Sequence, residues 1–438
     1  MQSKTSELPA LLGGPPLCAE PWPETSTIGE EEKRAVLEVL DSGLLSGFRA
    51  GPGPGFQGGP RVRKLEQEWA EYFGTRHAVA FNSLTSGLQA AVGALGLGPG
   101  DEVIVPPLTM SASAVCPLAY GAVPIFADVD PETFCIDPAS VEEKVTPRTR
   151  AVVVVHLFGH PADMEALQGV ARRHKLALIE DCAQAPAGSY RGKPLGTFGR
   201  IGGFSLNVHK TIQTGEGGVM VTDEEEMALR LRLIRNHGET AVEGLGVERL
   251  ENTFGGNTRM TEIEAAIASV QLRRLEKLTA HRSRLAARLD QSLAGIPGLS
   301  PQKKLPPGSR HAYYFYALRY DEKEIGLPRN LFARAVQAEG IELRTDYARP
   351  VYWEPLFQKK IALGEKGFPF SIQEDGRGYD YPRGLCPVAE TIFERELLFG
   401  RFCRWPLTET HVDQVAAALK KIVETRGIIS SCMMKACP

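Results

Sequence analysis

Apolar residues follow two spacings along the chain. Glu30 to Leu40 places Ala35, Val36, Val39 and Leu40 on one helical face. A second amphipathic helix is predicted in VRKLEQEWAEYF, residues 62–73. From residue 78 short apolar runs alternate with helical stretches: AVAF (78–81), EVIVP (102–106), VPIF (123–126), AVVVVH (151–156), LALIED (176–181), GGFSL (202–206) and GGVMVT (217–222). Runs without polar alternation suit strands buried on both faces, as in a mostly parallel sheet covered by helices. A long helix is predicted from Met260 to about Leu293, with Ile263, Ala266, Ile267, Val270 and Leu275 as apolar positions. Beyond Pro297, HAYYFYALRY (311–320) predicts a strand, and 329–339 and 409–424 predict helices. No unit of roughly 20–50 residues repeats, which removes solenoids and propellers. The pattern divides the chain into an arm (1–25), a large α/β domain (26–285), a smaller α+β domain (286–425) and a tail (426–438). Between the first two helices, GFRAGPGPGFQGGPR (47–61) is a Gly/Pro loop.

Composition narrows the function. In 438 residues, 53 acidic against 50 basic side chains leave a net charge of −3, so there is no basic field for nucleic acid or an anionic membrane. The longest aliphatic run, Ala151 to Val155, is far short of the ~20 residues of a spanning helix. The first residues, MQSKTSELPALLGG, lack the apolar core of a secretory signal. Eight cysteines are too few for a disulfide framework, no C-x-x-C pair suggests zinc, and Cys437 is misplaced for prenylation. The expectation is a soluble cytoplasmic protein that binds no metal.

Two motifs are set aside. Gly53, Gly55 and Gly58 satisfy G-x-G-x-x-G, but no strand precedes them and Pro52 and Pro54 stiffen the turn. His156 and His160 are four apart, but Gly159 and Pro161 break any helix that would pair them on a metal. The informative stretch is 176–218. One strand delivers Asp181 at its carboxyl end, and a second delivers Ser205 and then Lys210. Ligands of open α/β sheets gather beyond such ends. An acid, a hydroxyl and a lysine converging there suit pyridoxal 5'-phosphate (PLP). A lysine can bond the cofactor aldehyde, and a carboxylate keeps the pyridine nitrogen protonated so that the ring accepts electrons. A surface lysine and a capping aspartate would leave the same letters. NSLTSGLQAAVGAL (82–95) adds an anion site, because Thr85, Ser86 and Gly87 open a helix directly after a strand.

With these residues in place, the chain from about 25 to 425 resembles the DegT/DnrJ/EryC1/StrS sugar aminotransferases, within the fold-type I (aspartate aminotransferase-like) PLP enzymes. The resemblance rests on ordered segments: GDEVIVPPLT (100–109), GAVPIFADVDPETFCID (121–137), VHLFGH (155–160), EDCAQAPAGSYRGKPLG (180–196), FSLNVHKTIQTGEGG (204–218), RNHGE (235–239), GGNTRMTEIEAAI (255–267) and CPVAE (386–390). It implies a large PLP-binding domain on a seven-stranded sheet. Lys210 falls at the cofactor-bonding lysine, Asp181 at the partner of the pyridine nitrogen, and Gln184 beside the ring hydroxyl. Thr85, Ser86 and Ser205 match phosphate contacts. Asn257 matches an asparagine reaching the phosphate of a neighbouring subunit, which implies a homodimer with shared sites. The implied reaction is ping-pong transfer, via pyridoxamine phosphate, of an amino group from glutamate or glutamine to a keto-sugar or keto-cyclitol. His156, His237 and Tyr347 are candidate substrate contacts.

The chain departs from the family pattern at two positions. Met110 stands where an aromatic residue usually covers the pyridine ring, and Arg200 where an acid usually precedes the FS strand. The 47–61 loop is longer and richer in glycine than the usual link, and is a candidate cover for the pocket. Two alternatives stay open: a sugar dehydratase of the same family, and a non-catalytic regulatory protein on this fold. The first normally has histidine at the lysine position, and the second would be expected to have lost Lys210 or Asp181.

Overall fold

A computed structural model describes residues 8–371 and 378–436. The seven apolar runs form one sheet from β1 (His77–Phe81), β2 (Glu102–Val105), β3 (Val123–Phe126), β4 (Thr149–Val155), β5 (Ala177–Asp181), β6 (Ile201–Ser205) and β7 (Gly218–Thr222), in the order β1-β7-β6-β5-β4-β2-β3. Only β7 runs against its neighbours, so the sheet is mostly parallel, as the unbroken apolar runs predict. Its helices include α1 (Glu30–Ser42), α2 (Pro60–Phe73), α3 (Leu84–Ala94), α4 (Met164–His174) and α5 (Glu225–Arg235). Trp69 and Phe73 of α2 meet Phe204 of β6, with ring centroids 5.7 and 4.2 Å away. Truncating Trp69, which is fully buried, would cost about 3–5 kcal/mol.

Helix α6 (Glu262–Leu293) starts on a capping box, in which Thr261 Oγ1 accepts from Glu264 N and Glu264 Oε2 accepts from Thr261 N. Its first half, including Ala265, Ala268, Leu272 and Leu275, joins the core of the large sheet. From Leu285 onward it joins a second core, shared with α7 (Arg329–Ala338), α8 (Glu409–Ala436) and an antiparallel sheet of β8 (Leu299–Pro301), β9 (Tyr316–Tyr320) and β10 (Leu397–Gly400). The stretch predicted as a tail after 425 continues α8 to Ala436.

Only the second half of HAYYFYALRY pairs as a strand. The first half leaves the sheet and follows the 158–159 turn, with Ala312 N bonded to Gly159 O and Phe315 N to Phe158 O. Part of the 286–425 stretch packs on the large sheet. Tyr352, Phe357 and Tyr381 surround Phe126, and Tyr379 Oη donates to Glu102. The N-terminal arm is tethered to the second core by Glu339, whose carboxylate accepts from Ala10 N, Leu17 N and Lys421 Nζ.

Candidate active site

Six parallel strands and one reversed strand bring their relevant ends to one edge of the sheet. The carboxyl ends of β1, β2, β4, β5 and β6 and the amino end of β7 surround a cavity of about 480 Å³. Its walls include Thr85, Asp181, Gln184, Ser205, Lys210 and Tyr347. That volume lies within the ~300–1,000 Å³ of small-molecule sites.

The end of α3 nearest the cavity begins on Ser83, whose Oγ accepts from Ser86 N at 3.1 Å. Close packing holds this helix start on the sheet. A Cβ at Gly218 would lie 2.4 Å from Leu84 N, and one at Gly87 would lie 2.5 Å from Met220 Sδ. Thr85 is exposed toward the cavity. Ser86 turns its hydroxyl to Asn82 Oδ1 at 2.8 Å and does not line the cavity. Opposite, Asp181 ends β5 in register with Val155 and Gly203. Its Oδ1 accepts from Ala183 N at 2.9 Å and its Oδ2 from Ser113 Oγ at 2.6 Å, and Ser113 in turn contacts Thr109 Oγ1 at 3.0 Å. Gln184 is oriented at both ends: Oε1 accepts from Phe158 N, and Nε2 donates to Tyr347 Oη, each at 2.6 Å. Burial holds the Tyr347 phenol well above its usual range, so it stays protonated.

Lys210 lies in the 206–217 connection between β6 and β7. Hydrogen bonds from Leu206 N to Gly217 O and from Thr214 N to Leu206 O close that connection, and Lys210 N bonds Asn207 O. The Lys210 ammonium lies 4.9 Å from the Tyr314 ring centroid. A carboxylate floor, a lysine wall and a helix start with open amides fit PLP: an acid for the ring nitrogen, an amine for the aldehyde and an anion site for the phosphate. Cys116 and Cys182 sit close to the acid, and burial pushes both thiols up, which keeps these two unreactive.

Other predicted positions lie elsewhere. His156 is fully buried and does not line the cavity. Its Nδ1 accepts from Ala162 N, so Nε2 donates to Glu180, and the ring is fully engaged as a structural group. His156, Glu180 and Cys182 are close enough to hold a metal ion, yet Glu180 already accepts from Gly196 N, Phe198 N and Gly199 N. His237 and Asn257 are outside this chain's cavity, on a partly exposed face where residues 236 and 257 form an isolated β-bridge. The 47–61 loop packs on that same face rather than over the cavity. Asn236 Nδ2 donates to Arg49 O and Phe56 O, and Phe48 lies under the Arg235 guanidinium. Met110 lines the cavity at 65% exposure. Arg200 finds its carboxylate partner in Glu224, across the turn from the sheet.

Sequence reasoning missed Ser113, Tyr314, Phe315, Arg344 and Phe399. Ser113 carried a signal: it lies a few residues beyond the carboxyl end of the predicted strand EVIVP, the edge where ligands of such sheets gather.

Residues 26–420 match the DegT/DnrJ/EryC1/StrS aminotransferase family. The chain is 38% identical over 362 residues to the spore coat polysaccharide biosynthesis protein SpsC of Bacillus subtilis, covering 81% of this chain and 90% of that one. It is 36% identical over 430 residues to the L-glutamine:2-deoxy-scyllo-inosose aminotransferase of Streptoalloteichus tenebrarius, covering 95% of this chain and 98% of that one. Among solved structures, an aminotransferase from Psychrobacter cryohalolentis superposes with a TM-score of 0.78 at 30% identity, covering 93% of this chain and 99% of that one.

Proposed function

The chain belongs to the DegT/DnrJ/EryC1/StrS aminotransferase family and is a PLP-dependent aminotransferase, and from that premise we propose that it moves an amino group from glutamine or glutamate to a keto-cyclitol or keto-sugar in secondary metabolism. The observation that carries this reading is the convergence of Asp181 and Lys210 in one cavity with the start of α3. The near full-length similarity to a glutamine-dependent inosose aminotransferase supports a cyclitol ketone as acceptor.

PLP supplies an electron sink that stabilises negative charge at the donor carbon. Asp181 is fixed by Ser113 and Ala183 N and would hold a proton at the pyridine nitrogen. Lys210 would hold the cofactor through its aldehyde, and its free amine would be placed to move a proton at the donor carbon. Thr85 and Ser205 are assigned to the phosphate, Gln184 to the ring hydroxyl, Met110 to the ring face and Tyr347 to the substrate, while Ser86, bonded to Asn82, is left out of the phosphate site. Asn257 is assigned to the phosphate of a second copy. The exposure of Asn257, and of apolar Leu250 and Phe254 in the preceding residues, supports that homodimer. We place the boundary between domains near residue 285, where α6 passes from the first core to the second. A cytoplasmic location is supported by the seven cysteines among the described residues, all of them unpaired.

The test offers the purified protein glutamine or glutamate together with a panel of inososes and nucleotide-linked keto-sugars, and follows aminated product by mass spectrometry. An aminated cyclitol is expected, and none from Lys210→Ala. Amination confined to nucleotide-linked sugars would replace the cyclitol assignment. No amination with any acceptor would remove the transaminase reading.

A further inference from the structure

A second cavity, of about 300 Å³, shares no lining residue with the first. The segment 311–315 borders both: Tyr314 and Phe315 line the cavity of Lys210, while His311 and Tyr313 line the other. Helix α6 contributes Ser283 and Asp290, seven residues and about 10.5 Å apart along its axis. Most polar groups around this cavity are already engaged. His311 Nδ1 accepts from Tyr313 N at 2.8 Å, so Nε2 donates to Gln302 Oε1, and Gln302 Nε2 donates to Thr133 O. The Tyr313 ring stacks on His311, with centroids 3.8 Å apart. Lys303 pairs with Glu132 and Arg310 with Glu276. Three groups are left over. Asp290 accepts from the Tyr316 hydroxyl on Oδ1 but pairs with no cation among the described residues, and burial raises its carboxyl above the usual range. Lys304, exposed at the rim, makes no hydrogen bond or ion pair among the described residues. Ser283 Oγ is buried without a partner.

An unpaired acid and an unpaired base on one small cavity suit a ligand that is itself a zwitterion. A simple anion would face the Asp290 carboxylate, and a simple cation would face Lys304. One carboxylate is also too few for a divalent ion, which takes several oxygen ligands. We propose that this cavity binds a free α-amino acid, with its ammonium on Asp290 and its carboxylate at Lys304. An ammonium brings three donors, and a hydrogen bond between two charged groups is among the stronger kinds. The Tyr313 and Tyr316 rings flank the side chain, and Ser283 Oγ receives a polar group at its far end. The site is separate from the place where any amino donor must meet Lys210. Its occupant touches the catalytic cavity only through the 313–314 backbone, whose two carbonyls accept from Arg282 Nη1 at 2.8 and 3.3 Å.

The test uses the holoenzyme after borohydride reduction, so that the cofactor is fixed and no amino acid can react. The twenty L-amino acids are screened one at a time by the shift in Tm, and the strongest ligand is then measured by equilibrium dialysis. Wild type should bind it at a site that Asp290→Asn lacks, so that ligand bound per chain falls by one in the variant. Lys304→Gln should bind at that site at least about threefold more weakly. Derivatives of the same amino acid without the amine, or without the carboxylate, should bind there at least about tenfold more weakly. Equal binding by wild type and Asp290→Asn would overturn the proposal, because all binding would then belong to the catalytic cavity. So would a derivative without the amine that binds as tightly as its parent. If Lys304 instead closes onto Asp290 as an internal pair, Lys304→Gln lowers Tm without ligand and no amino acid raises it in wild type, which also overturns the proposal. Should Asp290→Asn not fold, Lys304→Gln and Ser283→Ala decide: unaltered dialysis in both is against it. A protein that takes up no cofactor would remove the transaminase reading, and the same screen on that protein would still decide what this cavity binds.

Discussion

Ser113 Oγ donates a 2.6 Å hydrogen bond to Oδ2 of Asp181 across 68 residues of sequence, so a short helix after β2 sets the orientation of the acid that ends β5. A hydrogen bond to a charged group is worth about 1.5–3 kcal/mol. Ser113→Ala should therefore slow both half-reactions by roughly ten- to a hundredfold, and Asp181→Asn should slow them further. Stopped-flow absorbance of the cofactor, once with the donor and once with the acceptor, checks this. A Ser113→Ala protein with wild-type rates would show that Ala183 N alone positions the carboxylate.

Borohydride reduction should lock the cofactor onto Lys210, identified by peptide mapping. Lys175 and Lys193 should carry no adduct. Lys210→Ala should keep PLP through its phosphate and ring contacts yet complete no catalytic cycle. An adduct on Lys193 would move the site.

Asn257 is exposed and outside its own chain's cavity, so its effect should appear across an interface. A heterodimer of Lys210→Ala and Asn257→Ala has one doubly defective site and one site with both groups intact. Mixing the two proteins under conditions of subunit exchange should raise activity at limiting PLP above that of Asn257→Ala alone. Demonstrated exchange without a gain would assign Asn257 a backbone role within its own turn.

Arg235 is fully buried and pairs with Glu66, which also accepts from Ala80 N. Glu66→Ala would leave that cation uncompensated, a loss of about 3–5 kcal/mol, read as a lower Tm and denaturation midpoint. Replacing both residues, as Glu66→Ala with Arg235→Met, should recover part of the loss. Phe48 rides on the same guanidinium, so the 47–58 loop should become more protease-sensitive in the single variant.

The sheet was legible because each strand carries a short apolar run without polar alternation, and the residues at their ends inherited their placement from it. Asp181, Gln184, Ser205 and Lys210 all lie at or just beyond β5 and β6, where local pattern and site coincide. Tyr314 and Arg344 were not legible, because they reach the cavity through the departure of 311–315 from its predicted strand and through packing of the C-terminal half. His156 misled for the opposite reason. A histidine next to a strand end looks like a ligand contact, and only Glu180 and Ala162 N show that its ring is already occupied. The 47–61 loop was recognisable as a loop, but nothing in its glycines says that Asn236 will hold its carbonyls.

The unpaired cysteines make the chain its own reporter of unfolding. Cys116, Cys135, Cys182 and Cys386 are sealed in the first core and Cys18 and Cys403 in the second, while Cys432 is exposed. Of these seven, Cys432 meets a thiol reagent added to the native protein at once, and the six core thiols are reached only as each core opens. The order in which those six are labelled, read by mass spectrometry during a denaturant pulse, would tell which half of the molecule yields first.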